Sequence, residues 1–430
     1  MRCASRLHEV APGFPGQPCY AVACPRFLDP PATPPTPAFL PARSPSDRCP
    51  GAGRPPLRRP GSPRSRWSSR SPRRSCPAPG AGTPAATSGS PSRRARIFSS
   101  LDEYERKGFT FTDGGAPEDV LAIVQRHGVD TVRLRVWVDP AGGWCGTERT
   151  LAMAARIHAR GLRLLLDLHY SDTWADPAHQ PTPAAWAGLT DAALRERVRA
   201  YTAEVVAALR AQGTPPDLVQ LGNEITCGLL WDQGRVCDAF DTDAQWDRLA
   251  GLLLAAADGV SDGLDGGRVP LLLHTDRGGD ADGATRLLDR LVARGVRFDA
   301  VALSFYPWWH GGLPKLAHTL EVVSSRYGRD VLVVETAYPW TLTNFGGGDN
   351  FVWEVPQLQA GYPATPQGQR DWLAAVLAVV RATPGGHGKG VVAWGPELSY
   401  APGMSQANPV DNLALFDDQR RALPGLSAFE

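Results

Sequence analysis

Seven short apolar runs recur along the chain, separated by longer stretches in which apolar residues return every three or four positions. The runs are TVRLRVW (131–137), RLLLDLHY (163–170), DLVQLGNE (217–224), VPLLLHTD (269–276), AVALSFY (300–306), DVLVVET (330–336) and GVVAWGPE (390–397). Their length and composition predict buried strands. Between them, RTLAMAARIHARG, LRERVRAYTAEVVAALRAQG and QRDWLAAVLAVVRA carry helical spacing, and Gly or Pro marks most joints. Strands alternating with helices predict an α/β fold with a parallel sheet. An eighth strand is needed for closure, and ARIFSS (95–100) is the candidate. Eight such units within residues 97–430 make a (β/α)8 TIM barrel the leading fold. A doubly wound open sheet is the alternative. No GxGxxG or GxxxxGK[ST] follows a strand, so nothing supports nucleotide binding.

Composition changes the picture at the N-terminus. Residues 1–96 hold 21 of the 40 prolines, 16 arginines, no lysine and three acidic residues, a net charge of +13. The overall +1 therefore leaves −12 on residues 97–430. Runs such as RPPLRRPGSPRSRWSSRSPRRS have no hydrophobic period and too little apolar surface to offset chain entropy. The expectation is a basic, unstructured leader over 1–96, followed by one catalytic domain over 97–430. A nucleic-acid-binding tail is the functional alternative for the leader, and no nucleic-acid partner is expected. A third reading is a mis-assigned start, since Pro, Arg, Ser, Gly and Ala are what GC-rich codons give out of frame. Five cysteines there (Cys3, Cys19, Cys24, Cys49, Cys76) lack a CxxC or histidine partners, which argues against zinc. No run of 18 apolar residues exists, so no membrane span is expected. The N-terminus also lacks the apolar core of a signal peptide.

The chemistry collects where the strands end, the face on which barrels of this kind build active sites. Arg133, Arg135 and Trp137 end the first run; Asp167, His169 and Tyr170 the second; Asn223 and Glu224 the third. His274, Asp276, Ser304, Tyr306, Trp308, Glu335 and Trp394 follow in later runs. A strand alternates its faces, so Arg133 and Arg135 share one, as do Asp167 and His169. Glu224 and Glu335 each close an apolar run, on strands four and seven of the count. Two opposed carboxylates are what glycosidic cleavage requires, one protonating the leaving oxygen and one attacking the anomeric carbon. The plainer reading is a buried salt-bridge network with Arg133 and Arg135. The two are compatible, because a cation keeps a nucleophilic carboxylate ionised. YSDTWADP, FYPWWHGG and AYPWT place Tyr170, Trp174, Tyr306, Trp308, Trp309, Tyr338 and Trp340 just past strands. Such flat faces suit sugar rings.

VRLRVWVDP, LLLDLHYSDTWADPAHQ, LVQLGNEITCGLLW, LSFYPWWHG, VVETAYPW, GYPATPQGQ and DNLALFD, spread over about residues 97–420, resemble glycoside hydrolase family 53, the arabinogalactan endo-β-1,4-galactanases. The resemblance implies a retaining endo-hydrolase of β-1,4-galactan or arabinogalactan. It implies Glu224 as general acid/base, Glu335 as nucleophile, Asn223 on the sugar 2-hydroxyl, Tyr306 bonded to Glu335 and Trp394 as floor of the cleaving subsite. The family's strand-two arginine falls on Arg133 or Arg135, and His169 would orient the acid or the substrate. Tyr170, Asp172, Trp174, His274, Trp308 and Trp340 complete the expected substrate-binding set.

Two departures stand out. Family members begin strand one with a Gly-Ala-Asp-Val-Ser-like run, where this chain has ARIFSS. Val410 stands where an aromatic would precede Asp411-Asn412. No cofactor is expected as a requirement. Some relatives hold calcium, and HTDRGGDADG offers Asp276, Asp280 and Asp282, though a solvated acidic loop is the plainer reading. Cys227 and Cys237 could pair in an exported enzyme or stay free thiols. The resemblance implies an extracellular monomer with no membrane partner. The alternatives are a retaining endo-glycanase on another β-linked polysaccharide, or a non-catalytic carbohydrate-binding barrel.

Overall fold

Each predicted run becomes a strand of one closed parallel barrel in the computed structural model. The structure describes residues 93–346, 349–404 and 408–430, so the leader through residue 92 lies outside the described residues. The strands are β1 (Arg93–Ile97), β2 (Thr131–Val136), β3 (Arg163–Leu168), β4 (Leu218–Leu221), β5 (Leu271–Thr275), β6 (Ala300–Ser304), β7 (Asp330–Thr336) and β8 (Gly388–Ala393). They follow each other in chain order around the barrel, and β1 closes it between β8 and β2. Helices α1 (Val120–Arg126), α2 (Thr147–Ala159), α3 (Asp191–Ala211), α4 (Asp243–Gly263), α5 (Ala281–Val292), α6 (Leu313–Tyr327) and α7 (Pro366–Arg381) follow β1 to β7. After β8 a short 3-10 helix, Pro424–Phe429, takes the last helical place. Asp119, Thr190, Thr242, Asp280 and Thr365 cap α1, α3, α4, α5 and α7 by accepting a first-turn amide.

The strands read as nearly continuous apolar runs because both faces are covered. Val132, Leu134, Val136, Leu164, Leu166 and Leu168 face the helices in the large outer core. Ala95, Ile97, Leu165, Leu218, Leu272, Ala300, Ala302, Leu332, Val334 and Val392 fill the barrel interior. One step further along each strand, the inward positions turn polar. Arg133 comes from β2, Asp167 from β3, Gln220 from β4, His274 from β5 and Ser304 from β6, all buried. The apolar interior is thus a floor, and a layer of hydrogen-bonding groups lies on it.

Two irregularities matter. Strict alternation would put Glu335 on the same outer face as Val333. The β7 register shifts between Val333 and Thr336, and β6 shifts where Ser304 pairs with Glu335. This bulge turns Glu335 inward directly after the inward Val334. The second irregularity is β1, which starts at Arg93, so the 96/97 boundary expected from composition cuts through a strand. Arg96 points into the outer core, fully buried, with its guanidinium 3.9 Å from the Phe429 ring. It donates to Ala95 O and Leu426 O and makes no ion pair among the described residues. Burial pushes its pKa well below the usual arginine value.

A chain starting at Arg93 should keep the barrel, whereas one starting at Phe98 should lose β1, unpair β8 and β2, and show no cooperative melt by circular dichroism. Arg96→Met should raise stability by about 1–4 kcal/mol, measured by denaturant unfolding, because an apolar side chain needs no counter-charge there.

Candidate active site

The polar layer is organised around Arg133. Its Nη1 reaches Glu335 Oε1 at 3.0 Å, and its Nη2 lies 2.9 Å from Asp167 Oδ2 and 2.8 Å from Asn223 Oδ1. Nε donates to Gln220 Oε1 at 3.2 Å. With 2 % of its surface exposed, the guanidinium survives burial because two carboxylates balance it, and they hold its pKa up. Of the two strand-two arginines, Arg133 is the one that contacts Glu335. Arg135 lies elsewhere, its guanidinium 3.9 Å from the Trp174 ring and 4.8 Å from that of Trp137.

Under Arg133, Asp167 accepts from Gln220 Nε2 at 2.6 Å and from His169 Nε2 at 2.9 Å. Trp137 Nε1 donates to His169 Nδ1 at 3.3 Å, which assigns the histidine proton to Nε2. Both His169 nitrogens are thus occupied by protein. It orients Asp167 and Trp137. His274 is fully buried, with Nδ1 accepting from the Glu224 amide at 3.2 Å and from Gln220, and Nε2 against Ser304 Oγ at 2.9 Å. Burial and the Arg133 charge push its pKa well below the usual value, so it stays neutral. It supports the turn that carries Glu224 from below.

That turn has a local cause. Gly222 sits at φ +82°, and a Cβ there would come within 2.6 Å of Ile225 Cγ2, so glycine is required. Glu224 itself adopts φ +47°, a left-handed conformation that costs a non-glycine residue about 1–3 kcal/mol. Gln180 holds the turn from above, its amide donating to Asn223 O at 2.8 Å and Asp176 O at 3.0 Å. Asn223 Nδ2 donates to Ala175 O at 2.8 Å.

The two carboxylates occupy unlike fields. Burial raises the Glu224 pKa well above the ordinary value, and the nearby Glu335 charge adds to it. Burial also raises Glu335, but Arg133 and the Tyr306 hydroxyl, 2.9 Å from Oε2, pull it back. The cation and the phenol hydroxyl thus favour the charged form of Glu335, while burial favours the neutral form of Glu224. Tyr306 remains a donor, its pKa raised by burial and by both glutamates. Trp174 and Trp394 lie 6.0 Å apart, and Trp308 is 5.2 Å from Tyr306.

Other expected residues have different work. Tyr170 lies in the outer core with its hydroxyl on Thr202, and Tyr338 stacks on Trp372. Both Asp172 oxygens accept loop amides, of Asp139 and Ala184. Trp340 stacks on Phe345 and donates to Asp411 O. Val410 is buried in the wall formed with Tyr306, Trp308 and Trp394. Asp276 accepts from Thr226, Asp280 caps α5, and Asp282 is exposed in its first turn. No group of three metal-binding side chains gathers among the described residues. Cys227 and Cys237 are joined as a disulfide. Gln220 and Gln180 were not anticipated. Gln220 had a signal, an uncharged polar residue at an inward strand position; Gln180, in a loop, had none.

Glycosyl hydrolase family 53 matches residues 97–429. The chain belongs to this family. It is a glycoside hydrolase, built on the barrel that the solved relatives share. An Ignisphaera aggregans family 53 catalytic domain is 35 % identical, with a TM-score of 0.73 over 78 % of this chain and 95 % of its own. A Niallia circulans protein encoded in the bgaB 5′ region is 42 % identical over 77 % of this chain and 91 % of its own. A probable arabinogalactan endo-β-1,4-galactanase A of Aspergillus fumigatus is 33 % identical, covering 78 % and 92 %.

Arg133→Lys removes the forked contact to Glu335 and Asp167 while keeping a charge. It should lower kcat/KM for hydrolysis by about 100-fold. Because Arg133 pulls the Glu335 pKa down, weakening it raises that pKa, and the acid limb of the pH profile of kcat/KM should move to higher pH.

Proposed function

We propose that the protein is a retaining endo-β-1,4-galactanase acting on galactan or arabinogalactan, with Glu335 as nucleophile and Glu224 as general acid/base. The family membership and the name of the Aspergillus relative support the substrate. One observation carries the mechanism: the site holds one carboxylate against Arg133 and Tyr306 and buries its counterpart where the neutral form is favoured.

In the first step Glu335 attacks the anomeric carbon from below the sugar, and the bond to the leaving oxygen breaks as Glu224 delivers its proton there. Glu335, now an ester, no longer bears the charge that raised the Glu224 pKa. Glu224 is left ionised with a lower proton affinity than before, and it takes a proton from the water that attacks the same carbon. Breakage of the ester then returns the charge to Glu335, facing Arg133. Asn223 spends one Nδ2 hydrogen on Ala175 O and offers the other to the sugar 2-hydroxyl. Trp394, backed by Trp174, gives the sugar ring a flat apolar face. The Cys227–Cys237 disulfide suits a protein that works outside the cell, and the proposal includes that location and action as a single chain.

Glu335→Ala should lower kcat on galactan by about 10⁴-fold or more. Azide should restore part of it by occupying the vacated side, giving the α-galactosyl azide. Near-normal turnover by the variant would overturn the nucleophile assignment. For the unmutated enzyme, proton NMR should show the β-anomer as the first reducing end released, whereas the α-anomer would exclude double displacement. A panel of galactan, mannan and glucan should give hydrolysis of galactan alone.

A further inference from the structure

The mechanism leaves unused two buried ionisable groups, Arg135 and Glu397. Arg135 is buried on β2, on the same strand face as Arg133. Its guanidinium carbon lies over Trp174, 3.9 Å from the ring centroid, and the Trp174 ring is 6.0 Å from that of Trp394. The other side of the guanidinium meets the β1 end, where Nη2 donates to Ser100 Oγ at 3.0 Å. The Ser100 amide donates to Glu397 Oε1 at 2.9 Å, so one serine joins the arginine to a buried glutamate in the loop after β8. Glu397 Oε2 and Arg135 Nε have no hydrogen-bond partner among the described residues. Burial pushes the Glu397 carboxyl up to about 7, and the Arg135 charge works against that rise. A buried cation needs a reason to press on an indole rather than on the reacting carboxylates, and the stack supplies one: a desolvated guanidinium against a tryptophan face is held firmly.

We infer that Arg135 and Glu397 are positioning residues that set the Trp174–Trp394 platform, so that Arg135 acts on the sugar only through Trp174. The inference rests on the proposed galactanase reading. It adds two residues to it, one of which (Glu397) the family resemblance did not assign. Glu397 anchors Arg135 through Ser100, Arg135 fixes the Trp174 plane, and Trp174 braces Trp394 under the sugar. A loosened platform weakens binding of ground state and transition state alike, which raises KM and leaves kcat.

The test is a double-mutant cycle on the full chain, with galactan hydrolysis measured for Arg135→Met, Arg135→Lys, Trp174→Ala and the double variant Arg135→Met/Trp174→Ala. Arg135→Met should raise KM about threefold to thirtyfold, with kcat within about threefold. Arg135→Lys should restore part of the loss. In the Trp174→Ala background, Arg135→Met should change KM less than twofold, since its route to the sugar is already gone. Glu397→Gln keeps an acceptor for the Ser100 amide and removes the negative charge, which the wild type carries only above a pH of about 7. Assayed on the alkaline side of that value it should raise KM in the same direction, and it decides the matter if Arg135→Met fails to fold. Additive effects of Arg135 and Trp174, or an unchanged KM in both Arg135→Met and Glu397→Gln, would overturn the inference. Crystal structures of wild type and Glu397→Gln separate it from the substrate reading. An inert wild type on galactan sinks the galactanase proposal, whereas an unmoved Trp174 ring in the variant sinks this one.

Discussion

The buried guanidinium of Arg133 is the constraint on which the site depends. A cation at 2 % exposure inside a barrel is tolerable only when anions and acceptors surround it, and here every nitrogen is engaged by Asp167, Glu335, Asn223 or Gln220. Those partners are drawn from β3, β7, the turn after β4 and β4 itself. One side chain therefore holds together elements far apart in the chain. The same contact makes Glu335 the more acidic of two buried glutamates. The salt-bridge reading of the sequence holds at Arg133, which pairs with Glu335 and Asp167, whereas Arg135 packs against Trp174 instead.

Much of this was legible beforehand. Six of the eight strands fall inside the runs that hydrophobicity marks and β8 overlaps another, because a parallel barrel buries both faces of each strand and leaves unbroken Val and Leu. Glu224 and Glu335 could be singled out since a carboxylate closing such a run has no packing explanation. Distinguishing Arg133 from Arg135 was beyond alternation, as both share one face and differ only in depth. Depth also separates His169 and His274, which support the site from below, from groups that can touch a sugar. Tyr170 and Tyr338 failed for another reason: aromatic residues just past a strand can turn outward onto helices as readily as inward over the mouth, and the chain pattern is the same for both.

The first strand shows how closure tolerates a poor sequence. Ala95 and Ile97 point inward and satisfy the interior, while Arg96 is left between the barrel wall and Phe429 with no counter-charge among the described residues. Backbone pairing to β8 and β2 is indifferent to side-chain identity, so the ladder forms and the mismatch is borne by the outer core. Composition alone placed the domain boundary at residue 96, because arginine and proline density cannot register a strand that is held mainly by its neighbours.

The bulge in β7 has a consequence for how such enzymes can be recognised or rebuilt. Glu335 reaches the cleft through a fault in alternation, since an unbroken strand would have carried it to the helix side. The letters VVET therefore do not encode a reactive group by themselves; a graft that copied them into a regular strand would reproduce the motif and hide the carboxylate in the wall. What has to be inherited is the miscount between adjacent strands, a property of pairs of segments that no single stretch of sequence displays.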